Sequence, residues 1–191
     1  MPDTAIKHPQ PHRYTTAEYH RMGEAGIIAP DVRVELIQGE IIDMTPIGSG
    51  HAGLVKHLNK LFIQTVGDAV VVGVQDPVVL DDFSEPAPDL ALLRFRGDFY
   101  TKSHPSPEDV LLIVEVADTT LQYDLEVKLP LYAHAGIPEV WLVDVVAKSV
   151  TVYSHPEEGG YTKQVSLDDL KAVEVLLLEG FSFDLSGIFG E

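Results

Sequence analysis

Two carboxylates lie where they could bind a divalent metal ion, and one lysine lies where it could assist that ion in acting on a phosphodiester. Asp89 begins a short apolar run, and Glu115 follows the nearly continuous apolar segment 110–114. A carboxylate on such a buried segment is costly to desolvate unless a cation or a hydrogen-bond donor binds it. Asp124 and Lys128 follow at i and i+4 in a segment with helical periodicity. We therefore expect a pocket in which the amine of Lys128 points back at the two carboxylates.

This set of groups suits Mg²⁺ or Mn²⁺. Mg²⁺ prefers hard oxygen ligands, takes one or two carboxylates, and keeps its other positions for water and phosphate. Asp89 and Glu115 would supply the carboxylates, and the main-chain carbonyl of Val116 would supply a third oxygen. Such an ion polarises a phosphate and lowers the pKa of a bound water, while the amine of Lys128 could orient that water. The residues thus predict metal-assisted hydrolysis.

The same residues also have purely structural explanations, which the sequence leaves open. Asp89 could simply begin a strand, and Lys128 could pair only with Asp124, a helical contact worth a few tenths of a kcal/mol. His51, which precedes an apolar helix pattern, could contact phosphate or help to cap that helix. The aromatic side chains of Tyr132 and Trp141 are expected to belong to the core.

Composition favours a single domain with a sizeable core. The chain has 191 residues, 45% of them hydrophobic, and no cysteine, which excludes disulfides and thiolate metal ligands. Residues 1–12 are polar and predict a flexible arm rather than a signal peptide, with one domain over residues 13–191. No apolar run reaches the roughly 18 residues that a bilayer span needs, so we expect a cytoplasmic protein. The net charge of −17 opposes long-range attraction to nucleic acid.

One further carboxylate belongs to a predicted hairpin near the N-terminus. Two apolar runs flank Gln38-Gly39, where glycine supplies the positive φ that a tight turn requires. Glu35 alternates with apolar neighbours and therefore lies on one definite face of its strand. The residues leave open whether Glu35 faces a pocket or is exposed opposite Arg33 or Glu40.

The remaining pattern predicts helices and strands around a mixed sheet. The segment 110–116 is apolar on both faces and should be the central strand. Pro130 should kink or split the helix in which it lies, and Gly136 should end that helix. The expected elements are a helix capped by Thr15 to about 24, strands at 33–38 and 40–44, a helix at 49–66, strands at 69–75, 77–80, 89–93 and 110–116, a helix at 121–135, strands at 139–145, 149–154 and 161–165, and a short helix at 167–170. This order predicts an α/β or α+β fold with a central mixed β-sheet flanked by helices.

One locally basic stretch could contact nucleic acid. Arg94, Arg96 and Lys102 alternate with aromatic residues in the connection between two predicted strands. Arginines interleaved with aromatic rings suit phosphate contact and base stacking. The alternative is a solvated loop whose aromatic side chains cover the edge of the sheet.

A set of short motifs stands in a definite order along residues 13–155. The motifs are Glu35-Leu36-Ile37-Gln38-Gly39-Glu40, Met44-Thr45-Pro46 with His51, Pro88-Asp89, Val114-Glu115-Val116, the series Thr120, Asp124, Lys128 and Tyr132, and Gly136-Ile137-Pro138-Glu139-Val140-Trp141. Together they resemble the Uma-type family of restriction endonucleases, which belongs to the PD-(D/E)XK nuclease superfamily. The resemblance implies a restriction-endonuclease-like fold and a Mg²⁺-dependent endonuclease that cuts DNA, with a homodimer expected.

The resemblance also assigns roles to individual residues. It implies that Asp89 and Glu115 are metal ligands, that Lys128 orients the water, and that Glu35 is an accessory carboxylate. The chain departs from the superfamily pattern at Ala117, because the lysine normally lies two residues after the second carboxylate. In the Uma-type branch the lysine has moved to the following helix, and Lys128 fits that arrangement. Ala117 and the acidic charge leave a second class open, a catalytically inactive nuclease fold that serves as a binding or regulatory module.

Overall fold

The structure is a computed structural model that describes residues 10–190, and a six-stranded mixed sheet lies at its centre. Residues 1–9 of the predicted arm lie outside the described range. In chain order the elements are α1 (Thr16–Glu24), β1 (Val34–Ile37), β2 (Glu40–Asp43), α2 (Ser49–Val66), β3 (Val70–Val74), β4 (Leu90–Arg94), β5 (Val110–Ala117), α3 (Leu121–Tyr123), a π-helical segment (Asp124–Lys128), α4 (Leu129–His134), β6 (Glu139–Asp144), β7 (Ser149–Glu157), β8 (Gly160–Ser166), β9 (Val173–Glu174) and β10 (Ser182–Phe183). The predicted fold class, a mixed sheet flanked by helices, is confirmed.

The strand order of the central sheet is β3-β4-β5-β6-β7-β8. β5 pairs parallel with β6, and the other neighbouring strands pair antiparallel. A parallel pair needs a crossover connection, which the helical residues 121–134 provide. All eight residues of β5 are buried. The prediction that segment 110–116 forms a central strand is therefore confirmed.

The sheet separates two apolar cores. On one face α2 packs with the C-terminal segment, and the rings of Phe62, Trp141 and Phe183 meet edge to face at centroid distances of 5.1–6.0 Å. On the other face α4 packs against β5 and β6. Because side chains alternate along a strand, Ile113, Glu115 and Ala117 point to the α4 face. The side chain of Glu115 therefore points toward the helical segment that includes the lysine.

The N-terminal elements follow the sequence pattern closely. The amide of Glu18 donates to Oγ1 of Thr15 at 3.2 Å, and the amide of Thr15 donates back to the Glu18 carboxylate at 2.9 Å, which completes the capping box. In the hairpin turn both Gln38 and Gly39 have positive φ, 51° and 82°. Such a pair of left-handed residues matches the twist of the two strands.

Pro130 lies within a continuous helical run rather than at a break. The π-helical segment precedes it, and the amide of Leu129 donates to the carbonyl of Asp124 instead of to the carbonyl four residues earlier. The wider turn changes which side chains share a face, and Leu125 is 38% exposed. Lys128, at the end of the π segment, is buried.

Two predicted elements are wrong. Residues 77–80 do not form a strand, because Gln75 has a φ of 56° and turns the chain away from the sheet. Their amides instead pair within a local loop, for example from Val78 to the carbonyl of Pro86. Residues 167–170 do not form a helix, because Leu167 donates to the carbonyl of Val150 and continues the extended chain of β8. Within the described range, no helix has the length and apolar character that crossing a membrane requires.

Candidate active site

Asp89, which directly precedes β4, lies opposite Glu115 of the neighbouring antiparallel strand β5. The register pairs Leu90 with Val114, so the residues next to them face the same point at the edge of the sheet. The amide of Val116 donates to Oδ2 of Asp89 at 2.9 Å, and the amide of Asp89 lies 3.4 Å from Oε2 of Glu115. The structure thus brings the two predicted carboxylates together, beside the main chain of Val116.

Lys128 reaches this pair from the helical side. Its Nζ donates to Oε1 of Glu115 at 3.2 Å and to Oε1 of Glu35 at 3.1 Å, and the residue is only 6% exposed. Asp124 accepts instead from the hydroxyl of Thr120 at 2.8 Å. The alternative in which Lys128 pairs only with Asp124 is therefore wrong. Among the hydrogen bonds of residues 10–190, none joins Lys128 to Asp89.

Glu35 is a buried member of the same cluster. It is 3% exposed and lies opposite Ile42 in the hairpin register, so the alternative of an exposed residue opposite Arg33 or Glu40 is wrong. Its Oε1 accepts from the amide of Ala87 at 2.9 Å as well as from the lysine. The first hairpin thus contributes a carboxylate to the wall of the pocket.

Three further side chains complete the cluster. Nε2 of His51 lies 2.9 Å from Oδ2 of Asp89, and the amide group of Gln75 donates to Oδ1 of the same residue at 3.1 Å. The hydroxyl of Tyr132 donates to Oε1 of Glu115 at 2.5 Å, so this core residue also contacts the carboxylate cluster. His51 and Tyr132 belong to the motif series in the sequence, whereas nothing in the sequence indicated Gln75.

The pocket has more buried carboxylates than cations. Burial raises the pKa of Glu115 to about 8, although the nearby ammonium of Lys128 opposes that shift. Burial also opposes the charge of Lys128, but Glu115 and Glu35 outweigh it and raise the pKa of the amine. For Asp89, burial is opposed by the hydrogen bond from His51, which holds the pKa of this carboxyl below its usual value. Excess negative charge at a partly enclosed site favours a bound cation.

These groups line a cleft of about 470 Å³ that opens to solvent. The side chains of His51 and Asp89 are 14% and 13% exposed, so this end of the cleft can be reached by solvent. Nδ1 of His51 is buried without a hydrogen-bond partner in the described part of the chain. The oxygen donors and the unbalanced charge fit a hard divalent cation. The cleft is also lined by Arg33, Met44, Thr45, Pro46, Ile47, Gly48, Thr119 and Thr120.

The locally basic stretch uses its arginines within its own loop. Arg96 donates to Asp98 at 2.5 Å and to the carbonyl of Ser103 at 3.1 Å, and its guanidinium lies 3.8 Å from the ring centroid of Tyr100. Arg94 donates to a carbonyl of the same connection. The aromatic side chains at 95 and 99 are 56% and 64% exposed, so they do not cover the edge of the sheet.

The chain is similar to known proteins in both sequence and fold. The sequence model of the Uma2 family, described as "Putative restriction endonuclease", matches residues 16–186. Among solved structures, the fold is similar to that of a protein from Anabaena variabilis described as "a putative nuclease belonging to DUF820". The TM-score is 0.62 and the identity 14%, over 84% of this chain and 88% of that chain. This similarity shows the fold. No curated protein matches the sequence.

Proposed function

Because the chain belongs to the Uma2 family, described as "Putative restriction endonuclease", we propose that it is a Mg²⁺- or Mn²⁺-dependent endonuclease that hydrolyses DNA phosphodiesters. The observation that supports this most strongly is the buried contact of Lys128 with Glu115 and Glu35, opposite Asp89. A cluster of this kind is expensive to bury and therefore indicates a chemical role.

Asp89, Glu115 and the carbonyl of Val116 would hold the metal ion. When bound, the ion supplies a Lewis acid for the phosphate and a more acidic water. Tyr132 and Lys128 both bind Oε1 of Glu115. These two contacts fix the orientation of the carboxylate and leave Oε2 on the side of Asp89.

Lys128 is proposed to orient the attacking water. An ammonium group has three hydrogens, and two of them bind Glu35 and Glu115 in the described part of the chain. The third is available for a water molecule in the cleft. Glu35 and Ala87 act through the lysine, because the amide of Ala87 fixes the carboxylate that positions the amine.

His51 is proposed to act beside Asp89. The hydrogen bond to Asp89 raises the pKa of the imidazole, which favours its protonated form. The protonated imidazole donates from Nε2 to Asp89 and so holds the orientation of this carboxylate.

The test is cleavage of supercoiled plasmid, linear duplex, single-stranded DNA and RNA with Mg²⁺ or Mn²⁺. We expect nicking of DNA by the wild type and loss of nicking in Glu115→Gln and Lys128→Met. Glu158→Gln, an exposed residue with the same change in charge, is the matched control and should remain active. Equal cleavage by the wild type and both cleft variants would refute the assignment of the site. Analytical sedimentation would test the predicted homodimer separately.

A second function, an inactive binding or regulatory module, is favoured by the contacts of Asp89. His51, Gln75 and the amide of Val116 already hold its two oxygens, so a metal ion must compete with these donors. Calorimetry with Mn²⁺ separates the two functions. Saturable binding that Asp89→Asn abolishes supports the enzyme, and the absence of binding supports the module.

A further inference from the structure

Two histidines and a buried glutamate meet outside the active-site cleft. His20 lies on α1, Glu85 follows the turn after residue 80, and His104 lies in the connection between β4 and β5. One ligand atom of each lies within 4.8 Å of the other two. None of the three lines the cleft. We propose that these residues form a second metal site, which binds a transition-metal ion such as Zn²⁺.

The carboxylate of Glu85 is the first reason. The side chain is 2% exposed, and Nε2 of His20 lies 2.9 Å and 2.7 Å from its two oxygens. A single ring nitrogen offers at most one hydrogen, so one N–H serves both oxygens. Within residues 10–190 the carboxylate accepts no other hydrogen bond. Buried carboxylates usually have more partners than this, and a metal ion bound to one of the two oxygens would supply a further partner.

The main chain holds the ligand segments in place independently of any ion. The amide of Glu85 donates to the carbonyl of Leu36 at 2.7 Å, and this contact joins the segment to β1 as a β-bridge. The carbonyl of Pro105, next to His104, accepts from the amide of Val79 at 3.0 Å. The amide of Thr16, at the start of α1, donates to the carbonyl of Asp82 at 2.8 Å. The site is therefore largely preformed.

The identity of the ligands determines which metals fit. Two imidazoles and one carboxylate are a ligand set of Zn²⁺, with a fourth position left for water. His20 has a side chain that is 44% exposed and His104 is exposed, so water can reach that position. Ligand atoms about 2.0–2.1 Å from zinc stand about 3.3 Å apart, so His20 must move about 0.5 Å from Glu85. Imidazole ligands disfavour Mg²⁺, which distinguishes this cluster from the oxygen-rich cleft.

A bound ion would have a structural role. It would join α1 to the connection before β5, and through Glu85 it would brace the strand that contains Leu36. The neighbouring residue of that strand, Glu35, contacts the lysine of the cleft. The site would thus stabilise the hairpin without contributing atoms to the cleft.

The test uses untagged, metal-stripped protein titrated with Co²⁺ or Zn²⁺ in excess Mg²⁺. We expect one Co²⁺ per chain with the visible absorption of a tetrahedral nitrogen–oxygen site, and a higher melting temperature with Zn²⁺. His20→Gln and His104→Ala should each weaken Co²⁺ binding by more than about 100-fold, since each removes a direct ligand. His57→Ala, an exposed histidine on α2, is the matched control and should bind as the wild type does.

Glu115→Gln distinguishes this site from the cleft, because it should retain full Co²⁺ binding. Near-UV circular dichroism of the metal-free variants checks that each one is folded. Equal Co²⁺ affinity in the wild type and both ligand variants would overturn the proposal. Loss of the ion in Glu115→Gln but not in His104→Ala would also overturn it and would place the bound ion in the cleft.

Discussion

Replacing Glu115 with glutamine should stabilise the metal-free protein at high pH while removing its activity. The amide keeps the size of the side chain and can still accept from Tyr132 and Lys128, but it has no charge. In the wild type, burial raises the pKa of Glu115 from 4.5 to about 8. The folded protein therefore holds a proton on this carboxyl over a range in which the unfolded chain has lost it.

The sign and size of the effect follow from this pKa. The contribution of a raised pKa to stability is fully present below about pH 4.5 and is lost as the pH rises through about 8. Within this window the free energy of unfolding should fall by about 1.4 kcal/mol per pH unit for one proton. Over the whole window this amounts to a few kcal/mol. The glutamine variant should not show this loss, because it has no proton to release.

The assay is urea unfolding of the wild type and Glu115→Gln in EDTA at unit steps from pH 5 to 9. Other groups titrate in the same range, so the quantity to compare is the difference between the two proteins at each pH. Mg²⁺ should restore the stability of the wild type at pH 8 but leave the variant unchanged, because the ion favours the ionised carboxylate. Parallel pH profiles for the two proteins would refute the reasoning, and Glu158→Gln should follow the wild type.

Three further substitutions test other parts of the structure. Lys128→Met should destabilise the fold by about 3–5 kcal/mol in urea above about pH 8, where it leaves the ionised carboxylates of Glu35 and Glu115 buried without their cation. This loss should shrink at low pH, where the carboxylates are protonated, and a constant loss would contradict it. Thr15→Ala should lower the unfolding free energy by about 1 kcal/mol and leave plasmid nicking unchanged, since it removes only the helix cap. Gly39→Ala should lower the melting temperature, because Gly39 has a φ of 82°, whereas an unchanged value would show that the turn can relax.

The sequence was sufficient to predict features that depend on local pattern and burial. The capping box at Thr15, the hairpin turn at Gln38-Gly39 and the central position of segment 110–116 all follow from residue type and periodicity. The proximity of Asp89 to Glu115 was also expected, because the two residues flank apolar segments that pair as neighbouring strands. The roles of these residues in catalysis stay predictions.

Other features depend on contacts between distant segments, which local pattern does not contain. Gln75 reaches Asp89 because its left-handed backbone turns the side chain inward, and no periodicity signals that conformation. Leu167 continues an extended chain because the carbonyl of Val150 was free to accept, although its own segment favoured a helix. The cluster at Glu85 joins three segments that are far apart in the sequence, so only the fold brings it together.

The π-helical segment determines where the lysine points. An α-helix advances about 100° per residue, and the π-helical turn takes up one residue more than an α-helical turn does. If the same residues formed a regular α-helix instead, the side chains after the segment would be rotated by about 100° around the helix axis. The helix could then not both pack the apolar side of α4 against the sheet and direct residue 128 toward the sheet. The additional residue in the π-helical turn allows both the packing of α4 and this orientation of residue 128. A lysine on this helix can thus reach the buried carboxylates of the cleft without any change in the sheet itself.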